Sequence, residues 1–256
     1  MKLISFCSSD RRLLRQSVFA FGALVLAGCG GAEESTTATM DLAFEARFGA
    51  QAFDCNATFQ GLGSTHATAK PLDFRFFVHD VELVRSAGEH VPFDLANDGI
   101  WQRDGVALLD FEDGTGSCDT GSPETNRSLH GTAPKHDDYT GIAFTLGIPE
   151  AMNHLDAATA PAPFNAPGLW WSWQGGYKYV RIDIASDNNP GGFYFHLGGT
   201  NCDGLPDSGF TCQYGNLARI ELESSRMAPI VVDAAALYGG VDLNHKPDFQ
   251  TDFVAG

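Results

Sequence analysis

Hydrophobic and polar positions alternate along this chain in short runs and never settle into a lasting helical period. Alternation at a period of two places apolar side chains on one face of a strand, and Gly, Asp, Asn and Pro punctuate the runs. Nine strands are predicted on this basis, at residues 40–48, 73–84, 91–95, 106–112, 141–147, 177–185, 192–197, 218–223 and 230–233. Their number and spacing point to a mainly β chain, an antiparallel two-sheet β-sandwich with short helices in its loops. Residues 149–155 suit one or two helical turns, and residues 234–238 another. The Pro- and Ala-rich stretch 157–167 predicts an extended surface loop.

The N-terminus breaks the pattern. Arg11, Arg12 and Arg15 precede an apolar run at 17–27, which has the length of a signal-peptide core and is too short to span a bilayer. Leu26-Ala27-Gly28-Cys29 then reads as a lipobox, with cleavage before Cys29 and a lipid on its thiol. Gly30 after that cysteine resembles lipoproteins sorted to an outer membrane. The expected organisation is a signal peptide at 1–28, a flexible tether at 29–39 and a sandwich domain at 40–256, held by its lipid in the cell envelope.

Charge and cysteines narrow the function classes. The net charge is −16, and residues 1–28 hold four of the 16 basic residues but one of the 32 acidic ones. Phosphate contacts require Lys and Arg, so nucleic-acid binding is disfavoured. Apart from Cys7 and Cys29, four cysteines remain, and in an oxidising compartment they read first as two disulfides. Cys202 and Cys212 bracket a Gly-, Asp- and Pro-rich loop, which pairs them and leaves Cys55 with Cys118. A thiolate metal site is the alternative, without a C-x-x-C pair to support it.

No G-x-S-x-G, H-E-x-x-H, P-loop or dinucleotide fingerprint is present. Residues 110–116 are acidic but lack the alternating ligand spacing of a calcium loop, and read as a solvated turn. Of the histidines, His79 alternates with Phe77, Val81 and Leu83, which places it on their inward face. His196 lies opposite the face of Phe195 and Leu197, and His154 follows Asn153. Trp170, Trp171 and Trp173 cluster with Tyr177 and Tyr179, either as a core plug or as a surface for a protein or carbohydrate. Trp101 stands alone before the strand 106–112, close to the His79 strand if the two form a hairpin.

Six strings in order carry a resemblance: Asp73-Phe-Arg-Phe-Phe-Val-His-Asp-Val, Val106-Ala-Leu-Leu-Asp-Phe-Glu-Asp-Gly, Tyr139-Thr-Gly-Ile-Ala-Phe-Thr-Leu-Gly-Ile-Pro, Met152-Asn-His-Leu-Asp, Trp171-Ser-Trp-Gln-Gly-Gly-Tyr-Lys and Phe195-His-Leu-Gly. Together they resemble the MbnP-like family, the four-cysteine partners of a "metallo-mystery pair". The resemblance implies a periplasm-facing, non-enzymatic copper-binding protein of β-sandwich type, with a role in copper acquisition or homeostasis. Its implied partner is a di-haem protein similar to the cytochrome c peroxidase and MauG group, which oxidises one Trp to kynurenine at the copper site. Imidazole suits copper, and kynurenine adds an aniline nitrogen and carbonyls that indole lacks. Carried onto this chain, the resemblance makes His79 and His196 the leading ligands and His154 a third candidate. Asp80 or Tyr194 would orient them. Trp101 is the expected oxidised residue and Trp173 the runner-up. The competing expectation is a metal-independent envelope module that binds its partner through the aromatic cluster at 170–179.

Overall fold

The computed structural model describes residues 36–205, 209–223 and 228–245. The lipobox, Cys29 and the signal peptide lie outside the described residues. Two sheets face each other. The smaller runs in the order Ile230–Asp233, Thr37–Phe48, Ser128–Pro134, Asp94–Leu95, with Gln51–Ala52 beside Thr37–Phe48. The larger runs Asn189–Leu197, Val180–Ser186, Ala67–Arg85, Tyr139–Leu146, Ala218–Glu223, with short strands added along Ala67–Arg85. Pairing is antiparallel except between Thr37–Phe48 and Ile230–Asp233, which run parallel. Residues 37–39, expected in the tether, are the first three of the strand Thr37–Phe48 and pair with Pro134, Ala133 and Thr132.

The main core fills the space between the sheets with interlocking rings, among them Phe44, Phe48, Phe74, Phe76, Phe111 and Phe144. Cys55–Cys118 and Cys202–Cys212 are both disulfide-bonded. The first ties loops that border the core, with Cys55 and Cys118 buried in it.

The outer face of the larger sheet is covered as well. Phe77, Val106, Leu108, Ile148, Phe164, Leu169, Tyr177 and Tyr179 form a second apolar cluster there. Residues 157–167, expected as a surface loop, are part of that cover. Phe164 stacks on Phe77, and Ala157, Ala160 and Ala166 pack against the cluster. The Ala and Pro content marked a chain without regular structure, and its one large apolar residue decides where it lies. The helical segments are one turn each, Glu150–Met152 as a 3-10 turn and Ala235–Tyr238 as an α turn. Strands missed by the alternation are short or Gly- and polar-rich, as in Ser128–Pro134, Thr200–Leu205 and Gly209–Tyr214. Among the described residues no helix is long and apolar enough to cross a membrane.

Candidate metal centre

The long strand Ala67–Arg85 positions the first histidine, but not on the expected face. Ala143 pairs with Glu82 and Thr145 with His79, so the long strand carries one extra residue between the two pairs. Asp80 supplies it, with φ +47°, a conformation that Asp tolerates better than most residues. A bulge reverses the alternation. Phe74, Phe76 and Val78 face the main core before it, and Val81 and Leu83 after it. His79 therefore shares the outer face with Phe77, not with Val81 and Leu83. It is buried, and neither ring nitrogen makes a hydrogen bond. Nδ1 lies 2.9 Å from the Asp80 carboxylate, off the direction that a hydrogen bond needs. Burial pushes the His79 pKa down, against the opposing pull of Asp80.

Four residues towards the N-terminus, the same outer face is charged. Arg75 and Asp73 on the long strand stand opposite Arg181 and Asp183 on Val180–Ser186. Arg75 donates to Asp73 at 2.8 Å, Arg181 Nη1 lies 3.0 Å from Asp73, and Arg181 Nε donates to Asp183 at 2.7 Å. Glu112 approaches Arg75 at 3.7 Å, and Asp110 and Glu112 are both buried. The expectation of a solvated turn at 110–116 fails at these two residues: Asp110 pairs with Arg75 across the sheet, and the Glu112 carboxylate accepts from Gly114 N and Ser122 N at 3.0 Å each. Burial raises the Asp110 pKa to about 8, with Arg75 opposing.

His196 closes this network at the sheet edge. It pairs with Arg181 across Asn189–Leu197, and its Nε2 lies 3.3 Å from Asp183 Oδ2. Asp183 is fully buried, and its Oδ1, 3.0 Å from the same nitrogen, makes no hydrogen bond. A carboxylate only accepts, so Nε2 carries the proton and Nδ1 keeps a free lone pair.

Above His196 sits a tryptophan hairpin, strands Trp170–Ser172 and Gly176–Tyr177. The Trp171 ring lies 6.3 Å from the His196 ring, and Lys178 Nζ stands 6.0 Å from the centroid of the same Trp171 ring. Glycines permit this packing. A Cβ at Gly198 would come within 2.4 Å of the Trp171 ring, and one at Gly176 (φ +67°) within 2.6 Å of Asn153. Asn153 accepts from Tyr177 N at 3.0 Å, and His154 Nδ1 donates to Trp173 O at 2.7 Å. The Asn-His pair, the tryptophan hairpin and the Phe-His-Leu-Gly strand thus meet at one edge of the sheet.

The profile of the MbnP family matches residues 37–252. The chain belongs to the MbnP family. Its fold is also similar to that of MbnP from Methylosinus trichosporium, at a TM-score of 0.72 and 25% sequence identity, over 82% of this chain and 80% of that one. No curated protein sequence matches.

Within this MbnP-family chain the candidate residues separate into two places. His79 is four residues along the long strand from Arg75, and His196 is two strands away from Arg75. At about 3.3 Å per residue and about 4.8 Å between strands, their backbones are roughly 16 Å apart. One ion cannot bind both. Trp101 packs on the second cluster, which includes Phe77 and Val106, the latter paired with His79. Among the described residues, the tryptophan ring in contact with a histidine ring is Trp171. Trp171 and Trp173 are 40% and 41% exposed, whereas Trp101 is half-buried. Tyr194, named as an orienting residue, lies tilted against His196 with ring centroids 5.7 Å apart but bonds through its hydroxyl to Gly191 O. The orienting partner is Asp183, five residues beyond the nearest of the six strings. Only its alternation with Arg181 on a strand could have flagged it.

His154 packs instead with its ring 4.6 Å from Phe210 and its Nε2 3.3 Å from Cys212 Sγ. His196 offers an imidazole with a free nitrogen, held by a buried carboxylate that has an unsatisfied oxygen of its own, which is a nitrogen donor of the kind that first-row transition metals take.

Proposed function

We propose that this chain is an extracytoplasmic copper-binding lipoprotein, anchored through Cys29, whose tryptophan hairpin is both copper site and substrate for a di-haem peroxidase-like partner. The MbnP family is linked to metal binding. The observation that carries the reading is the Trp171 ring 6.3 Å from His196, which Asp183 holds from below. His196 supplies the imidazole ligand. Trp171, rather than Trp101, is the residue to be oxidised, because it is exposed and adjoins that imidazole. Oxidation to kynurenine would supply the aniline nitrogen and carbonyl oxygens that indole lacks, next to a ligand already in place. His79 belongs to a different place in the fold and is not part of this centre. The chain acts as a binding protein and a substrate, not as the catalyst. Its lipid and its acidic surface would hold a cation-attracting domain at a membrane face where a haem partner can reach the hairpin.

Dialysis against copper followed by metal analysis tests this reading, on protein matured with the di-haem partner. The wild type should retain about one copper, and His196→Ala and Trp171→Phe should lose it. Retention of copper by both variants would remove the assignment. A chain that binds no copper in any form would favour an aromatic module for a protein or carbohydrate.

A further inference from the structure

The second half of the hairpin region carries chemistry that the copper centre does not use. Cys202 and Cys212 are directly opposed on Thr200–Leu205 and Gly209–Tyr214, with Cα atoms 3.8 Å apart. His154 completes a group of three, its ligand atom and both sulfurs lying within 4.8 Å of one another. The imidazole is already oriented. Nδ1–H is committed to Trp173 O, so the lone pair of Nε2 is the one that faces Cys212 Sγ at 3.3 Å. Buried Asn153 donates its amide N–H to that Nε2 at 3.2 Å and lies 3.9 Å from the same sulfur, a hydrogen bond that an entering ion would replace.

We propose that reduction of the Cys202–Cys212 disulfide turns this hairpin into a second, soft-cation site with Cys202 Sγ, Cys212 Sγ and His154 Nε2 as ligands. Sulfur bonds of about 2.3 Å and an imidazole bond of about 2.0–2.1 Å to one ion set the ligand atoms roughly 3.5–4 Å apart. The nitrogen-to-sulfur distance is close to that before any ion enters. The sulfurs need only separate from each other, by rotation about Cα–Cβ on two residues that remain opposed. Thiolates select copper(I) or zinc over harder ions.

The chemistry balances with a dithiol as reductant. The protein S–S bond breaks, each sulfur takes one electron and one proton, and the dithiol closes to its own disulfide. When copper(I) binds, both thiol protons leave to solvent and two sulfur–copper bonds and one nitrogen–copper bond form. Glu150, whose carboxylate accepts from Cys212 N at 3.3 Å, adds negative charge beside the cation. The proposal does not depend on the copper centre at His196, and the two separate by variant.

The test is anaerobic copper(I) titration of the full mature protein against a chromophoric chelator, before and after phosphine reduction, with phosphine removed and thiols counted. The reduced protein should bind one more copper(I) than the oxidised protein, with thiolate-to-copper absorption in the ultraviolet. His154→Ala should weaken that extra site at least about tenfold, and Cys202→Ser/Cys212→Ser should abolish it. His196→Ala and Cys55→Ser/Cys118→Ser should retain it. Two free thiols at 202 and 212 without an extra copper would overturn the proposal. So would an extra copper that survives Cys202→Ser/Cys212→Ser or keeps full affinity in His154→Ala, or a disulfide that resists reduction in the folded protein.

Discussion

The Asp183 carboxylate lies 3.3 Å from Nε2 of His196, on the neighbouring strand and wholly out of solvent. It fixes which nitrogen of a half-exposed histidine is free. The arrangement predicts that Asp183→Asn lowers copper affinity about 10–100-fold. Nitrogen-15 NMR of the copper-free protein gives the mechanism-specific readout. The wild type should show Nε2 protonated, and the variant a mixture of tautomers. An unchanged tautomer and affinity would reduce Asp183 to a packing role.

Asp110 should make stability fall with rising pH. Its folded pKa is raised from 3.8 to about 8, chiefly by burial. Such a group contributes stability that is complete below the unfolded value near 4 and is lost progressively as pH rises towards 8. The slope is at most about 1.4 kcal/mol per pH unit. Asn at 110 can still accept the 3.2 Å bond from Glu112 N and cannot ionise. Urea denaturation between pH 4 and 8 should show Asp110→Asn gaining on the wild type as pH rises. Parallel curves for the two proteins would contradict the placement.

His79 is a stability cost in the metal-free protein. Both ring nitrogens are buried without a hydrogen bond, and each such group costs about 1–3 kcal/mol. His79→Phe should therefore stabilise the chain and leave copper binding intact. Burial lowers the folded pKa of His79, so its share of stability is present above about 6.5 and is lost as pH falls. The advantage of the Phe variant should grow in acid. Loss of copper in His79→Phe would return His79 to the metal centre.

The two disulfides should differ in weight. Cys55 and Cys118 close a separation of 63 residues, Cys202 and Cys212 one of 10. Loop-closure entropy assigns about 4 kcal/mol to the first and about 3 kcal/mol to the second. Cys55→Ala/Cys118→Ala also opens the main core, so it should show the larger drop in guanidinium midpoint. Equal losses would argue against the buried anchoring of Cys55 and Cys118.

Much of this arrangement is legible in the sequence where the signal is local. Regular alternation marks Thr37–Phe48 and Tyr139–Leu146, and the Gly- and Asp-rich loop between Cys202 and Cys212 marks their pairing. What alternation cannot see is an inserted residue. One Asp in a left-handed conformation turns His79 to the other face, and no composition or periodicity announces it. Burial of Asp110 and Glu112 is hidden for a similar reason, since it involves Arg75, more than thirty residues away in the chain, and the backbone of Ser122. The choice between Trp101 and Trp171 likewise rests on cross-strand register. Trp171 meets His196 because Gly198 leaves room for its ring, a relation between two separate strings.

Peptide mapping by mass spectrometry, on protein co-expressed with its di-haem partner and loaded with copper, tests the central claim most directly. The account predicts oxygenation in the peptide spanning 169–179, located at Trp171 by fragmentation, with Trp101 unmodified. Oxygenation at Trp101 with an intact 169–179 peptide would contradict it.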